Sequence, residues 1–163
     1  MAYTKLTSAQ YENAQDVVCA LNYICDLNKC KHEIYGGRYI IALDTFNPYI
    51  FANQFLAVQY QRRIIRRIYH VIISLDQILD SPDLRLVYQI GMAVTGLYPN
   101  YQSVFSVHED KSFLHIHVIF NNCSMFPDKK NLTYYFDIST IQNLVDSMIC
   151  AHLDIPEVKR NHE

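Results

Sequence analysis

Two apolar runs joined by a short polar link constrain this chain more than anything else in it. The first is Ser103-Val104-Phe105-Ser106-Val107, ending at His108; the second is Leu114-His115-Ile116-His117-Val118-Ile119-Phe120. Their β-branched and aromatic content reads as strand, so successive side chains leave opposite faces. The link Glu109-Asp110-Lys111-Ser112 suits a hairpin turn. On a hairpin, His115 and His117 share one face and His108 returns beside them, while Leu114, Ile116 and Val118 line the other face. A histidine on an apolar strand is more often a hydrogen-bonded core residue than a ligand, and His-x-His pairs arise by chance. The third imidazole, with Asp110 in the turn, tips the reading toward a metal site with open coordination positions.

The remaining composition bounds the class. The chain has 163 residues, half of them hydrophobic, with no repeat or low-complexity tract, which fits one globular domain. No apolar run reaches the ~20 residues of a membrane span. The first residues, Met1-Ala2-Tyr3-Thr4-Lys5, lack the apolar core of a signal peptide, so the expected location is the cytoplasm, with no membrane partner. Five cysteines without an export signal argue for reduced, structural thiols. Cys25, Cys30 and His32 lie close together, but their spacing matches no standard zinc knuckle. A net charge of −2 argues mildly against a general nucleic-acid binder. The distribution matters more: Arg62, Arg63, Arg66 and Arg67 fall within six positions. They fit either a solvated strand face or a bidentate grip on phosphate oxygens.

Taken in order, residues 2–6 suit a short strand. Thr7 or Ser8 can cap a helix reaching Ile24, with Val17, Val18, Leu21 and Ile24 at helical spacing and Tyr23 at its end. Gly36-Gly37 breaks any element, and Tyr39–Leu43 could be a short strand. Pro48 suits the first turn of a helix to about Tyr60. Residues 66–75 form the most strand-like run, and Ser81-Pro82-Asp83 starts a helix ending near Gly96. Strands at about 101–108 and 113–121, a strand at Leu132–Phe136 and a helix from Ser139 to about His152 complete the pattern. The order suits an α+β fold, an antiparallel sheet with helices packed mainly on one face and the histidine face open. The domain is expected over residues 1–155, with 156–163 as a tail or the cut end of a longer protein.

With these residues in view, the chain resembles the HUH-type relaxases, the mobilisation nucleases that begin conjugative DNA transfer. The resemblance spans most of residues 15–122. His108-Glu109-Asp110 with Leu114-His115-Ile116-His117 and the following Asn121 looks like the family's metal motif. Leu21-Asn22-Tyr23-Ile24 followed by Lys29 looks like its nucleophile motif, and Tyr69-His70-Val71-Ile72-Ile73-Ser74 like its central strand. Phe113 stands where this group often carries another histidine, and Cys30 follows Lys29 where threonine or serine is common. Relaxases are also commonly longer and less acidic.

The resemblance implies a relaxase-like domain with a ferredoxin-like or RRM-like core. His108, His115 and His117 would hold a divalent ion, manganese or magnesium in use, with zinc or nickel possible as purified. Tyr23 would be the nucleophile, forming a covalent 5′-phosphotyrosyl enzyme at a nick in single-stranded DNA, and the freed 3′-hydroxyl would later religate. Asp110, Asn121, Lys29 and His70 would assist, and Arg62, Arg63, Arg66 and Arg67 would contact DNA. The implied partners are single-stranded DNA with a transfer-origin hairpin, together with accessory DNA-processing and coupling proteins. Tyrosine is abundant, thirteen in all, and Tyr35 and Tyr39 are the alternative nucleophiles. Rolling-circle initiators and single-strand transposases use the same chemistry but usually place the tyrosine after the histidine pair, where Tyr134 and Tyr135 stand. A third possibility is a non-catalytic DNA-binding module with a structural zinc.

Overall fold

The computed structural model describes residues 2–75, 83–109 and 113–152. Asp110 and the tail from 156 onward lie outside the described residues, as do Ser81 and Pro82. Five strands form one antiparallel sheet: β1 (Tyr3–Leu6), β2 (Tyr35–Arg38), β3 (Ile68–Ser74), β4 (Tyr101–His108) and β5 (His115–Ser124). Their spatial order is β1-β3-β5-β4-β2. The two longest strands therefore sit next to each other near the middle, with the short β1 and β2 at the edges. Four helices accompany them: α1 (Ala14–Ile24), α2 (Pro48–Gln59), α3 (Leu84–Gly96) and α4 (Ile138–His152). The expected α+β class with an antiparallel sheet is what the chain adopts.

The layering departs from the expectation of one open face. Val71, Ile73, Phe105, Val107, Ile116, Val118 and Phe120 bury one face of the sheet against α3 and α4. Ile68, Val104 and Ile119 point the other way and form a second core with Val17, Leu21, Ile24, Phe51 and Phe55 of α1 and α2. Strand alternation explains the division, because odd and even positions of each strand must both be buried. The histidines share the face with this second, smaller core. They occupy the part of it next to the C-terminal end of α1, so their surroundings are half-roofed and not open.

Local chemistry sets the helix boundaries. The helix α1 begins at Ala14, not near Thr7, because Asn13 makes a reciprocal capping box with Asp16: Asn13 Oδ1 accepts from the Asp16 amide, and Asp16 Oδ2 accepts from the Asn13 amide, both at 3.0 Å. Residues 7–12 are left as a loop. Asn47 caps α2 ahead of Pro48, and Asp83 caps α3 through the Arg85 and Leu86 amides. The segment expected as a strand at Leu132–Phe136 is instead a short 3-10 turn over Leu132–Tyr134. Its single inward residue, Leu132, is fully buried while Tyr134 and Tyr135 face outward.

Gly36 and Gly37, expected to break any element, lie inside β2, and residues 39–43 form no strand. The reason is space. A Cβ at Gly36 would come within 2.4 Å of the Phe105 ring, and one at Gly37 within 2.6 Å of the Ser103 carbonyl. Gly91 on α3 meets the same ring at 2.4 Å. Phe105 thus fills a slot made by two glycines, and the absence of side chains lets β2 and α3 close over the sheet.

Candidate metal and nucleophile site

The hairpin fixes the three histidines. In the antiparallel register His108 stands directly opposite His115, and His117 lies opposite Ser106 on the same face. All three are buried. Each can bring one ring nitrogen to within 4.8 Å of the others, a separation that one ion can bridge. Among the described residues, this is the only such grouping of histidine, cysteine or carboxylate side chains. Cys25, Cys30 and His32 form none: Cys30 Sγ donates to the Ile24 carbonyl and His32 pairs with Glu109 at 2.9 Å.

Each imidazole is held through one nitrogen, which decides the role of the other. The Ile24 carbonyl can only accept, so the His108 nitrogen 3.0 Å from it, Nε2, carries the proton, leaving Nδ1 as the lone-pair nitrogen. His115 donates from Nδ1 to the Phe113 carbonyl at 3.1 Å, which leaves Nε2. His117 Nδ1 lies 2.9 Å from His70 Nε2, while its own Nε2 is buried with no hydrogen-bond partner among the described residues. Burial and the neighbouring imidazoles hold His117 well below the usual histidine range, and burial followed by His108 brings His70 down to about 4. Three buried rings, each held through one nitrogen on its outer side and turned toward the others, form a donor set of the kind a divalent ion takes. The residues fit the metal that the sequence led us to expect.

Tyr23 reaches this cluster from the last turn of α1. Its ring centroid is 5.3 Å from that of His117, nearly edge-on, and 5.5 Å from that of His108. It is 39% exposed, so the ring is packed against the histidines while remaining open to a ligand. The Lys29 ammonium sits 3.9 Å from the ring centroid, an attractive cation–π contact that restrains the ring. The Lys29 carbonyl also accepts from the Glu109 amide, which ties the loop after α1 to the end of β4. The alternative tyrosines are placed elsewhere. Tyr35 stacks on Phe46 and Tyr39 lies beside Phe126, while Tyr134 is under Lys130.

Other expected site residues divide. His70 joins the cluster through His117. Asn121 does not; its side chain binds the Phe55 carbonyl, Gln102 and Gln59, which fastens α2 to the far end of the sheet. The four arginines form a loop before β3 instead of a strand face. Arg67 is turned inward, donating to the Glu12 carbonyl and to Gln59 Oε1, and the Arg66 guanidinium lies 5.0 Å from the Tyr69 ring centroid. Arg63 is exposed, and Arg62 is half-buried. Three contributors were missed from the sequence: Tyr11, whose hydroxyl is 2.9 Å from His70 Nδ1, Ser106, and the Ile24 carbonyl. A backbone carbonyl and one tyrosine among thirteen carry no sequence signal.

A family model described as relaxase, MobA/VirD2-like, nuclease domain matches residues 23–152. The matched span begins at Tyr23 and includes all three histidines. No curated protein matches the chain.

Proposed function

The chain belongs to the MobA/VirD2-like relaxase nuclease-domain family, and on that footing we propose that it nicks single-stranded DNA at a transfer origin by attack of Tyr23. The observation that carries the reading is the packing of one half-exposed tyrosine ring on two members, His108 and His117, of a triad of buried imidazoles. A divalent ion on His108, His115 and His117 would supply Lewis-acid polarisation of the scissile phosphodiester and offset charge developing on its oxygens. The Tyr23 oxygen bonds to phosphorus as the phosphorus–O3′ bond breaks. The phenol gives up its proton, the electron pair of the broken bond leaves with the 3′ oxygen, which takes up a proton to become a hydroxyl, and the 5′ phosphate stays on the tyrosine. Because the phosphotyrosyl ester conserves the bond, the same hydroxyl can return and religate the strand.

The chain's own residues do the positioning. Lys29 holds the Tyr23 ring and places a positive charge near the site of a bound phosphate. The Ile24 carbonyl links the helix end that bears Tyr23 to His108. Arg62 and Arg63 are the arginines available to DNA phosphates beyond the site. The tyrosine lies ahead of the histidine pair in the chain, which favours a relaxase over a rolling-circle initiator. No helix of the described residues is long and apolar enough to cross a membrane, and a cytoplasmic location with accessory transfer proteins follows from the proposed role.

The test is incubation with labelled single strands of the element's transfer origin and manganese, read on a denaturing gel. A covalent protein–DNA band that disappears in Tyr23→Phe, with strand binding retained, is the expected result. A band surviving in Tyr23→Phe would move the chemistry to another tyrosine. No band, from protein shown to hold metal, would leave a binding module.

A further inference from the structure

His117 is the one triad member whose outer nitrogen meets another titratable ring instead of a backbone carbonyl. His70 Nε2 lies 2.9 Å from it, and His70 Nδ1 lies 2.9 Å from the Tyr11 hydroxyl. The Thr7 hydroxyl donates in turn to the Tyr11 oxygen at 3.1 Å. The line from Thr7 to His117 is therefore continuous, and it starts from two residues ahead of the family-matched span. Tyr11 is held there at some cost, since its φ of 51° is in the left-handed region that non-glycine residues seldom adopt. Two backbone bonds oppose that strain: the Arg67 amide donates to the Tyr11 carbonyl at 2.8 Å, and the Thr7 amide donates to the His70 carbonyl at 3.0 Å.

We propose that Tyr11 and His70 are positioning residues whose hydrogen bonds set which nitrogen of His117 is presented to the metal. This rests on the metal-site reading above. Neutral imidazole carries one proton, so the line has two polarities. In one, Tyr11 donates to His70 Nδ1, His70 Nε2–H donates to His117 Nδ1, and the His117 proton sits on Nε2, where it blocks a metal. In the other, His117 Nδ1–H donates to His70 Nε2, His70 Nδ1–H donates to the Tyr11 oxygen, and His117 Nε2 presents its lone pair inward. Both have the same number of protons; the rings change tautomer and the hydroxyls rotate. Only the second admits the ion, and it requires an acceptor on His70 and on Tyr11. The role that a fixed carbonyl plays for His108 and His115 is played here by a reversible pair.

The test compares variants of equal size that differ in accepting a hydrogen bond. Manganese affinity by calorimetry is measured on the wild type, His70→Met, His70→Gln and Tyr11→Phe, each checked for folding by thermal melt. The expected result is a loss of about 10–100-fold in His70→Met, near wild-type affinity in His70→Gln through its side-chain carbonyl, and a several-fold loss in Tyr11→Phe. Nitrogen-15 imidazole shifts of the zinc-loaded wild type should show the proton of His117 on Nδ1. Equal affinities in His70→Met and His70→Gln, or unchanged affinity in Tyr11→Phe, would overturn the inference. If the position-70 variants fail to fold, Tyr11→Phe and the imidazole shifts decide it. Wild-type protein that binds no metal would instead overturn the metal site itself, and this inference with it.

Discussion

His108 Nε2 donates to the carbonyl of Ile24 across 3.0 Å, joining a strand-borne histidine of the candidate metal triad to the last residue of the helix that carries Tyr23. The last carbonyls of a helix have no partner within it. Here Ile24 finds three: His108, the Ser106 hydroxyl at 2.6 Å and the Cys30 thiol at 3.3 Å. Fastening this helix end therefore fixes two things at once, the tautomer of His108 and the position of the neighbouring phenol.

Ser106→Ala removes the shortest of these bonds from a fully buried position while leaving the carbonyl its other partners. The expected cost is about 1 kcal/mol of stability. A larger fractional loss of nicking than of strand binding should accompany it, because the helix end is loosened. Chemical denaturation and single-turnover nicking on the same preparation check both.

Metal should stabilise the protein through the same residues. An ion that binds the folded state alone adds about 2.7 kcal/mol when present at 100 times its dissociation constant. For a domain of this size that raises Tm by roughly 5–10 °C. The rise should vanish in His115→Ala and His117→Ala. Differential scanning calorimetry with and without manganese measures it, and an unchanged wild-type Tm would sink the proposed site.

The metal-free protein should lose stability in mild acid. His70 is held neutral by burial down to about 4, against 6.5 for an ordinary histidine. The unfolded chain therefore takes up the proton first as pH falls. Stability is full above about pH 6.5 and declines toward pH 4, with His70 alone accounting for up to about 3 kcal/mol. Urea midpoints between pH 7.5 and 4.5 should fall in the wild type and fall less in His70→Gln.

Gly91→Ala should destabilise although it raises helix propensity. Alanine is favoured over glycine in a helix by about 1 kcal/mol. The new methyl, however, would meet the Phe105 ring at 2.4 Å. Overpacking of this kind costs about 1–3 kcal/mol or more, so a net loss is expected. A Tm at or above that of the wild type would show that Phe105 can move.

The arginine cluster should divide in two under mutation. Arg67→Ala removes bonds to the Glu12 carbonyl and Gln59 and should lower stability by about 1–3 kcal/mol. Arg62→Ala and Arg63→Ala should leave Tm unchanged, weaken strand binding, and each reduce the slope of log affinity against log salt by roughly 0.7. Filter binding at several salt concentrations separates the classes.

The sequence by itself determined the hairpin and the side on which its histidines lie. Period-two alternation is a local property, and Leu114 through Phe120 can bury Ile116 and Val118 only by sending His115 and His117 to the other face. The starts of α2 at Pro48 and of α3 near Asp83, and the resemblance around Tyr23, were legible for the same reason, since each is a short-range pattern. The glycines of β2 were misread because propensity describes an isolated strand, whereas Gly36 is required by the Phe105 ring some seventy positions away. The roof over the histidine face, the inward turn of Arg67 and the contact of Tyr11 with His70 have the same origin. They depend on which distant segments pack together, and only the folded chain brings residues 11, 23, 70, 108 and 117 to one place. The three histidines of the candidate site could thus be read in order along the chain. The hydrogen bonds that orient them could not, because two of their partners are backbone carbonyls and the third is a histidine on another strand.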